Sequence, residues 1–178
     1  MALEVENCTN PFLPQLLDQI FEIYRNQAES GSLTKEESGK LFYDLSAFLG
    51  EELVFRSLQL LDDYIFTYYY FKNKNNLYVV ELSKGSEYFR VLPRINYCKC
   101  DFFQCHVLQL PKGILYQDIP SGQVGILEDW SEESRVSFTC QHVLALRLHQ
   151  FLCPGTKTSE QYLKKEELKN LQKEIFRD

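Results

Sequence analysis

The chain has 178 residues, 44% hydrophobic and 25% charged, which fits one compact domain with modest extensions rather than a membrane protein or a disordered tail. Its formal net charge is −6 and its pI is near 5.2, so the whole repels a phosphate backbone, and any nucleic-acid contact has to be local or supplied by a partner. No apolar run approaches the ~20 residues that span a bilayer, and the acidic opening Met1-Ala2-Leu3-Glu4-Val5-Glu6 is unlike a secretory signal, which points to cytosol or nucleus.

Asn10-Pro11 opens an amphipathic helix in which Phe12, Leu16, Ile20 and Ile23 recur at helical spacing. After Glu29-Ser30-Gly31-Ser32, Thr34 with Glu37 forms a capping-box start, and a second helix through Leu41, Leu45, Phe48 and Leu49 stops at Gly50. Glu51 to Asp63 continues as a third helix after a tight corner. From Tyr64 the residues turn aromatic and β-branched. Tyr64–Phe71, Leu77–Leu82 and Glu87–Leu92, parted by Lys72-Asn73-Lys74-Asn75-Asn76 and Lys84-Gly85-Ser86, predict a three-stranded antiparallel meander that Pro93 ends. Leu110 to Ser134, rich in Gly and Pro, reads as a long irregular insertion. Val136-Ser137-Phe138-Thr139 leads into a helix whose Leu144, Leu148, Phe151 and Leu152 share a face and which Pro154-Gly155 ends. Thr158 with Gln161 is expected to cap a final helix bearing the narrow stripe Leu168, Leu171 and Ile175.

These elements predict an α+β fold: N-terminal helices, the meander, a cysteine-rich module and C-terminal helices. The expected division is a helical region over 1–63, the meander and cysteine module over 64–153 with the insertion at 110–134, and a C-terminal helix over 154–178.

A reducing compartment makes disulfides improbable, so the six cysteines read as metal ligands, nucleophiles or buried thiols. Clustering separates them: Cys98, Cys100 and Cys105 fall close together and Cys140 neighbours His142, whereas Cys8 and Cys153 stand alone. A tetrahedral structural zinc site needs two short ligand pairs from separate elements. Cys98 and Cys100 share one face of an extended strand, and Cys140 and His142 sit where strand gives way to helix. A helix N-terminus there is expected to lower the thiol of Cys140. Cys105-His106 is the rival pair, but adjacent side chains diverge and rarely reach one ion. His149, two turns beyond His142, is expected to support the site from behind or to lie on the surface. Three thiolates, a neutral imidazole and Zn²⁺ leave one net negative charge, for which Lys99 and Arg94 are the nearest compensating cations.

Four protein ligands leave no position for a substrate water, and no H-E-x-x-H, deaminase or phosphate-loop motif is present, so no enzyme activity is expected. A nucleophile built on Cys105 and His106 lacks a third orienting group.

The runs Tyr97-Cys98-Lys99-Cys100-Asp101-Phe102-Phe103-Gln104-Cys105 and Phe138-Thr139-Cys140-Gln141-His142-Val143-Leu144-Ala145 resemble the SWIM zinc finger, with pattern C-x-C…C-x-H. With Phe48-Leu49-Gly50, Phe55-Arg56-Ser57-Leu58-Gln59-Leu60-Leu61-Asp62 and the meander upstream, the chain is similar to the Shu-complex SWIM proteins, especially the fungal form, over roughly residues 40 to 152. The resemblance implies Zn²⁺ on Cys98, Cys100, Cys140 and His142. It also implies a nuclear, non-catalytic subunit of a hetero-oligomer with small RecA-like recombinase paralogues, promoting recombinase assembly on single-stranded DNA in homologous recombination and damage tolerance. The connection from Cys100 to Cys140 is longer than in most SWIM fingers.

Two readings of function follow. In the first the chain is an interaction subunit, zinc fixes a surface, DNA is met through partners, and the stripe Leu168, Leu171 and Ile175 is a partner-binding face. In the second it binds single-stranded DNA or RNA directly, with Tyr68, Tyr69 and Tyr70 stacking beside Lys72 and Lys74. Strand aromatics are usually core, and the acidic charge favours the first.

Overall fold

The computed structural model describes residues 13–27, 33–71, 76–108, 138–152 and 156–176. The Asn10-Pro11 start, the Glu29–Ser32 break, Lys72 and Lys74, the 110–134 insertion, Val136-Ser137, Pro154-Gly155, Cys8 and Cys153 lie outside the described residues.

Helix α1, Leu13–Gln27, buries Leu17, Phe21 and Tyr24, one position on from the expected stripe, whose Leu16 and Ile23 are exposed, and the Tyr24 hydroxyl donates to Asp44 Oδ2 at 2.6 Å to tie it to the next helix. Helix α2, Lys35–Leu49, starts with the expected capping box: the Glu37 N–H donates to Thr34 Oγ1 at 3.2 Å, and the Thr34 N–H to Glu37 Oε2 at 2.7 Å. Gly50, at φ +91°, makes the corner into α3, Glu51–Asp63, in a backbone region that side chains rarely enter.

The meander forms as β1 Ile65–Phe71, β2 Leu77–Lys84 and β3 Glu87–Leu92, each antiparallel to the next. It belongs to a five-stranded sheet in the order β4-β3-β2-β1-β5, with β4 at Tyr97–Cys98 and β5 at Thr158–Leu163. Helix α4 is Gln141–Leu152 and α5 is Lys165–Phe176.

Two expectations about the C-terminal segment are corrected. Thr158 to Gln161 does not cap a helix. It is the first part of β5, which pairs in parallel with β1 from Phe66↔Thr158 to Phe71↔Leu163. The helix starts one element later, where the Lys164 N–H donates to Glu167 Oε2 at 2.7 Å. The second correction concerns the stripe. Leu171 and Ile175 are buried against Val79 and Leu92, with Tyr69, Tyr78, Tyr97 and Leu163 around them, and Leu168 is half-buried. Burying each such side chain contributes about 1.5–3 kcal/mol, and here it closes the chain's own core instead of serving as a partner face.

The layers follow from alternation along the strands. Phe66, Tyr68, Val80, Leu82, Val91 and Cys98 point to one side, where Leu60 of α3 and Val143 and Leu146 of α4 cover them. Val79 and Leu92 point to the other side, under α5, where Arg90 bridges Glu81 and Glu174 at 2.8 Å each. Helix α4 is buried almost all round, since Leu144 and Leu148 face Leu17, Phe21, Leu41, Leu45 and Leu53 of the N-terminal helices.

Candidate metal centre

Strand register starts the site. Val91 is buried on the α4 side of the sheet and pairs with Cys98, so the last residue of β4 points its sulfur under α4. The chain bends at Cys100, and the Gln104 N–H returns to the Cys100 carbonyl at 3.1 Å. A π-helical turn over Phe103–Val107 follows, closed by the Leu108 N–H on the Phe103 carbonyl at 3.0 Å. From the other side, Cys140 immediately precedes α4 and His142 lies in its first turn. Leu144 N–H bonds to the Cys140 carbonyl at 3.0 Å, which fixes Cys140 to the helix end.

These two junctions bring one ligand atom from each of Cys98, Cys100, Cys140 and His142 within 4.8 Å of one another. Three of the four are buried and Cys100 is half-buried. His142 Nδ1 lies 3.7 Å from Cys98 Sγ. The S···N edge of a tetrahedron with ~2.3 Å Zn–S and ~2.0–2.1 Å Zn–N bonds is about 3.6 Å, so the spacing suits a cation between them. Cys105 and His106 stand outside this group of ligand atoms, with the His106 ring against Phe102 at 4.7 Å.

Protonation tells the same story. Three sulfurs about one point cannot all ionise unaided, so hydrogen bonds from Cys140 and Cys98 hold the Cys100 thiol far below the usual range, while Cys98 and Cys140, each bonded to Cys100 and desolvated, are pushed up. At Cys140 the Val143 N–H of the helix end lowers the thiol, as expected, while the neighbouring Cys100 sulfur and burial raise it. A divalent cation would displace the shared protons and stabilise thiolates at all three positions. Backbone amides help to balance the resulting charge, the Phe103 N–H donating to Cys100 Sγ at 3.4 Å and Val143 to Cys140. Arg94, proposed above for that task, is exposed.

His142 is 2% exposed, and its Nε2 has no hydrogen-bond partner among the described residues. Its ring stacks on Phe89 at 3.9 Å and 26°. Sequence reading missed Phe89, although alternation along β3 already places it on the side of Val91. His149 is corrected too. It is neither at the cluster nor on the surface but 2% exposed in the core, stacked on Phe66 at 4.0 Å. Nε2 lies 2.8 Å from the Thr156 carbonyl, which can only accept, so Nε2 carries the proton and Nδ1 accepts from the Tyr68 hydroxyl at 2.8 Å.

With this geometry in place, comparison with known proteins gives one informative match. The chain is 31% identical over 103 residues to the zinc finger SWIM domain-containing protein 7 homolog of Dictyostelium discoideum, an alignment covering 57% of this chain and 62% of that protein. The chain is similar to a SWIM zinc-finger protein. It thus spans less than two thirds of that relative's length. No family model and no solved structure matches. The similarity and the Cys/His group together support a SWIM-type metal-binding module, and the donor set of three sulfurs and an imidazole is one that zinc takes.

Proposed function

We propose that the chain is a non-catalytic, zinc-binding subunit of a nuclear Shu-type complex, bound to small RecA-like recombinase paralogues and promoting recombinase assembly in homologous recombination and DNA-damage tolerance. The observation that carries the zinc reading is the convergence of Cys98, Cys100, Cys140 and His142 within 4.8 Å at a buried strand-to-helix junction. The similarity to a SWIM zinc-finger protein supports the family part of the reading. Four protein donors complete a tetrahedral shell, which favours a brace over a catalytic centre.

Partner contact falls to the N-terminal helices once α5 is spent on the sheet. Leu16 and Ile23 of α1, Tyr43 of α2 and Phe55 of α3 are exposed, and such apolar side chains suit a protein partner. Direct nucleic-acid binding is the weaker alternative: of the three tyrosines expected to stack, Tyr68 is buried and Tyr69 and Tyr70 are half-buried. Purification of the tagged protein is expected to recover one equivalent of zinc together with recombinase-like subunits. Zinc-free protein, recovery without such partners, or a steeply salt-dependent affinity of the isolated chain for single-stranded DNA would overturn it.

A further inference from the structure

We propose that His142 meets the metal through Nδ1, and that Phe89 is the positioning residue that holds the imidazole in that orientation. The inference rests on reading the cluster as a metal centre.

Three observations carry it. Nδ1 is the ring nitrogen on the sulfur side, 3.7 Å from Cys98 Sγ. Nε2 is turned into protein, buried and without a partner among the described residues. A neutral imidazole that gives the Nδ1 lone pair to a cation keeps its proton on Nε2, so this is the nitrogen left to point away. Nε2 is also farther from the main chain than Nδ1. Presenting it to the sulfurs would require the backbone at His142 to retreat, and Cys140, two residues earlier, anchors that backbone to the same cluster.

A metal-binding histidine is ordinarily oriented by a hydrogen bond from its other nitrogen to a carboxylate or carbonyl. Among the described residues none serves that purpose here. The contact that fixes the plane of the ring is the Phe89 face, 3.9 Å away and inclined by 26°. Phe89 is itself held by its place opposite Leu82 and by the Tyr64 ring at 6.3 Å. Tilting the imidazole out of this plane would break the stack, so an aromatic side chain on β3 holds the ring plane in which Nδ1 reaches the sulfurs.

The test loads the full chain, with isotopically labelled histidine nitrogens, with a spin-half cadmium isotope and reads the metal–nitrogen coupling by NMR. Coupling to Nδ1 of His142 is expected, and coupling to Nε2 would overturn the assignment. Phe89→Met keeps bulk but removes the aromatic face. It should weaken metal affinity ~10–100-fold, the range for losing a supporting contact, and broaden the coupling, whereas Phe89→Tyr and Phe89→Trp should retain both. If Phe89→Met does not fold, loss of the coupling in folded Phe89→Tyr and Phe89→Trp would overturn the role of Phe89. So would unchanged affinity and coupling in Phe89→Met. A wild-type chain that takes up no metal would overturn the metal reading itself, and this inference with it.

Discussion

His142 and His149 stand two turns apart on one helix, and each is 2% exposed. The burial pattern alone cannot tell them apart. Their ring nitrogens can. His149 has both nitrogens satisfied, by Tyr68 and by the Thr156 carbonyl, and it joins α4 to the start of β5. His142 has one nitrogen among three sulfurs and the other without a partner among the described residues. A buried polar atom left unpaired costs about 1–3 kcal/mol, and because a cation among the sulfurs would meet Nδ1 and not Nε2, its binding would have to outweigh that cost rather than remove it. The two histidines thus differ in what their ring nitrogens meet rather than in how deeply they are buried.

The largest effect that would break this comparison is expected at the cluster. Cys140→Ser should lose most of its metal and on the order of 10 kcal/mol of metal-linked folding energy, seen as an insoluble or unfolded product. Elemental analysis and a thermal melt would check it, and full metal retention would remove Cys140 from the ligand set.

On the opposite face of the sheet, Leu171→Ala should cost about 2–5 kcal/mol by leaving a cavity where the side chain is 8% exposed. Metal content should stay at wild-type level, since α5 packs away from the cluster. Denaturant unfolding with parallel metal analysis reads both, and little loss of stability together with lost partner recovery would return the stripe to the partner surface.

A smaller effect sharpens the contrast at His149. Tyr68→Phe strips the donor from a buried Nδ1 and should cost about 1–3 kcal/mol without changing metal stoichiometry. Loss of metal in this variant would mean that the two histidines act as one unit.

The smallest expected effect is a pH slope. Burial lowers the His149 pKa from its ordinary 6.5, so the folded chain keeps this ring neutral while the unfolded chain takes a proton. The unfolded state therefore binds more protons between the lowered value and 6.5, and stability falls as pH drops through that window. One proton gives at most about 1.4 kcal/mol per pH unit. His149→Gln should flatten that part of the profile relative to wild type in unfolding curves taken at successive pH values. An unchanged slope would assign the acid sensitivity to other groups.

Much of this was readable along the chain because the signals are local. Thr34 and Glu37 are three residues apart, Gly50 marks its own corner, and the alternation through Tyr64–Leu92 needs only short turns to become a meander. The four cluster residues were legible for the same reason, as two pairs whose spacing suits one ion. Tertiary structure decided the rest. Thr158–Gln161 carries a helix-start signal, but parallel pairing with β1 across a long stretch of sequence makes it a strand, and long-range pairing leaves no mark at local spacing. The stripe Leu171 and Ile175 shows that a helix has something to cover, and only the sheet beneath it says that the cover is its own chain. Phe89 and His149 are an ordinary strand aromatic and an ordinary helix histidine in sequence. Their roles come from the rings and carbonyls that folding brings against them, because orientation and hydrogen-bond completion belong to contacts between elements and not to the order of residues within one.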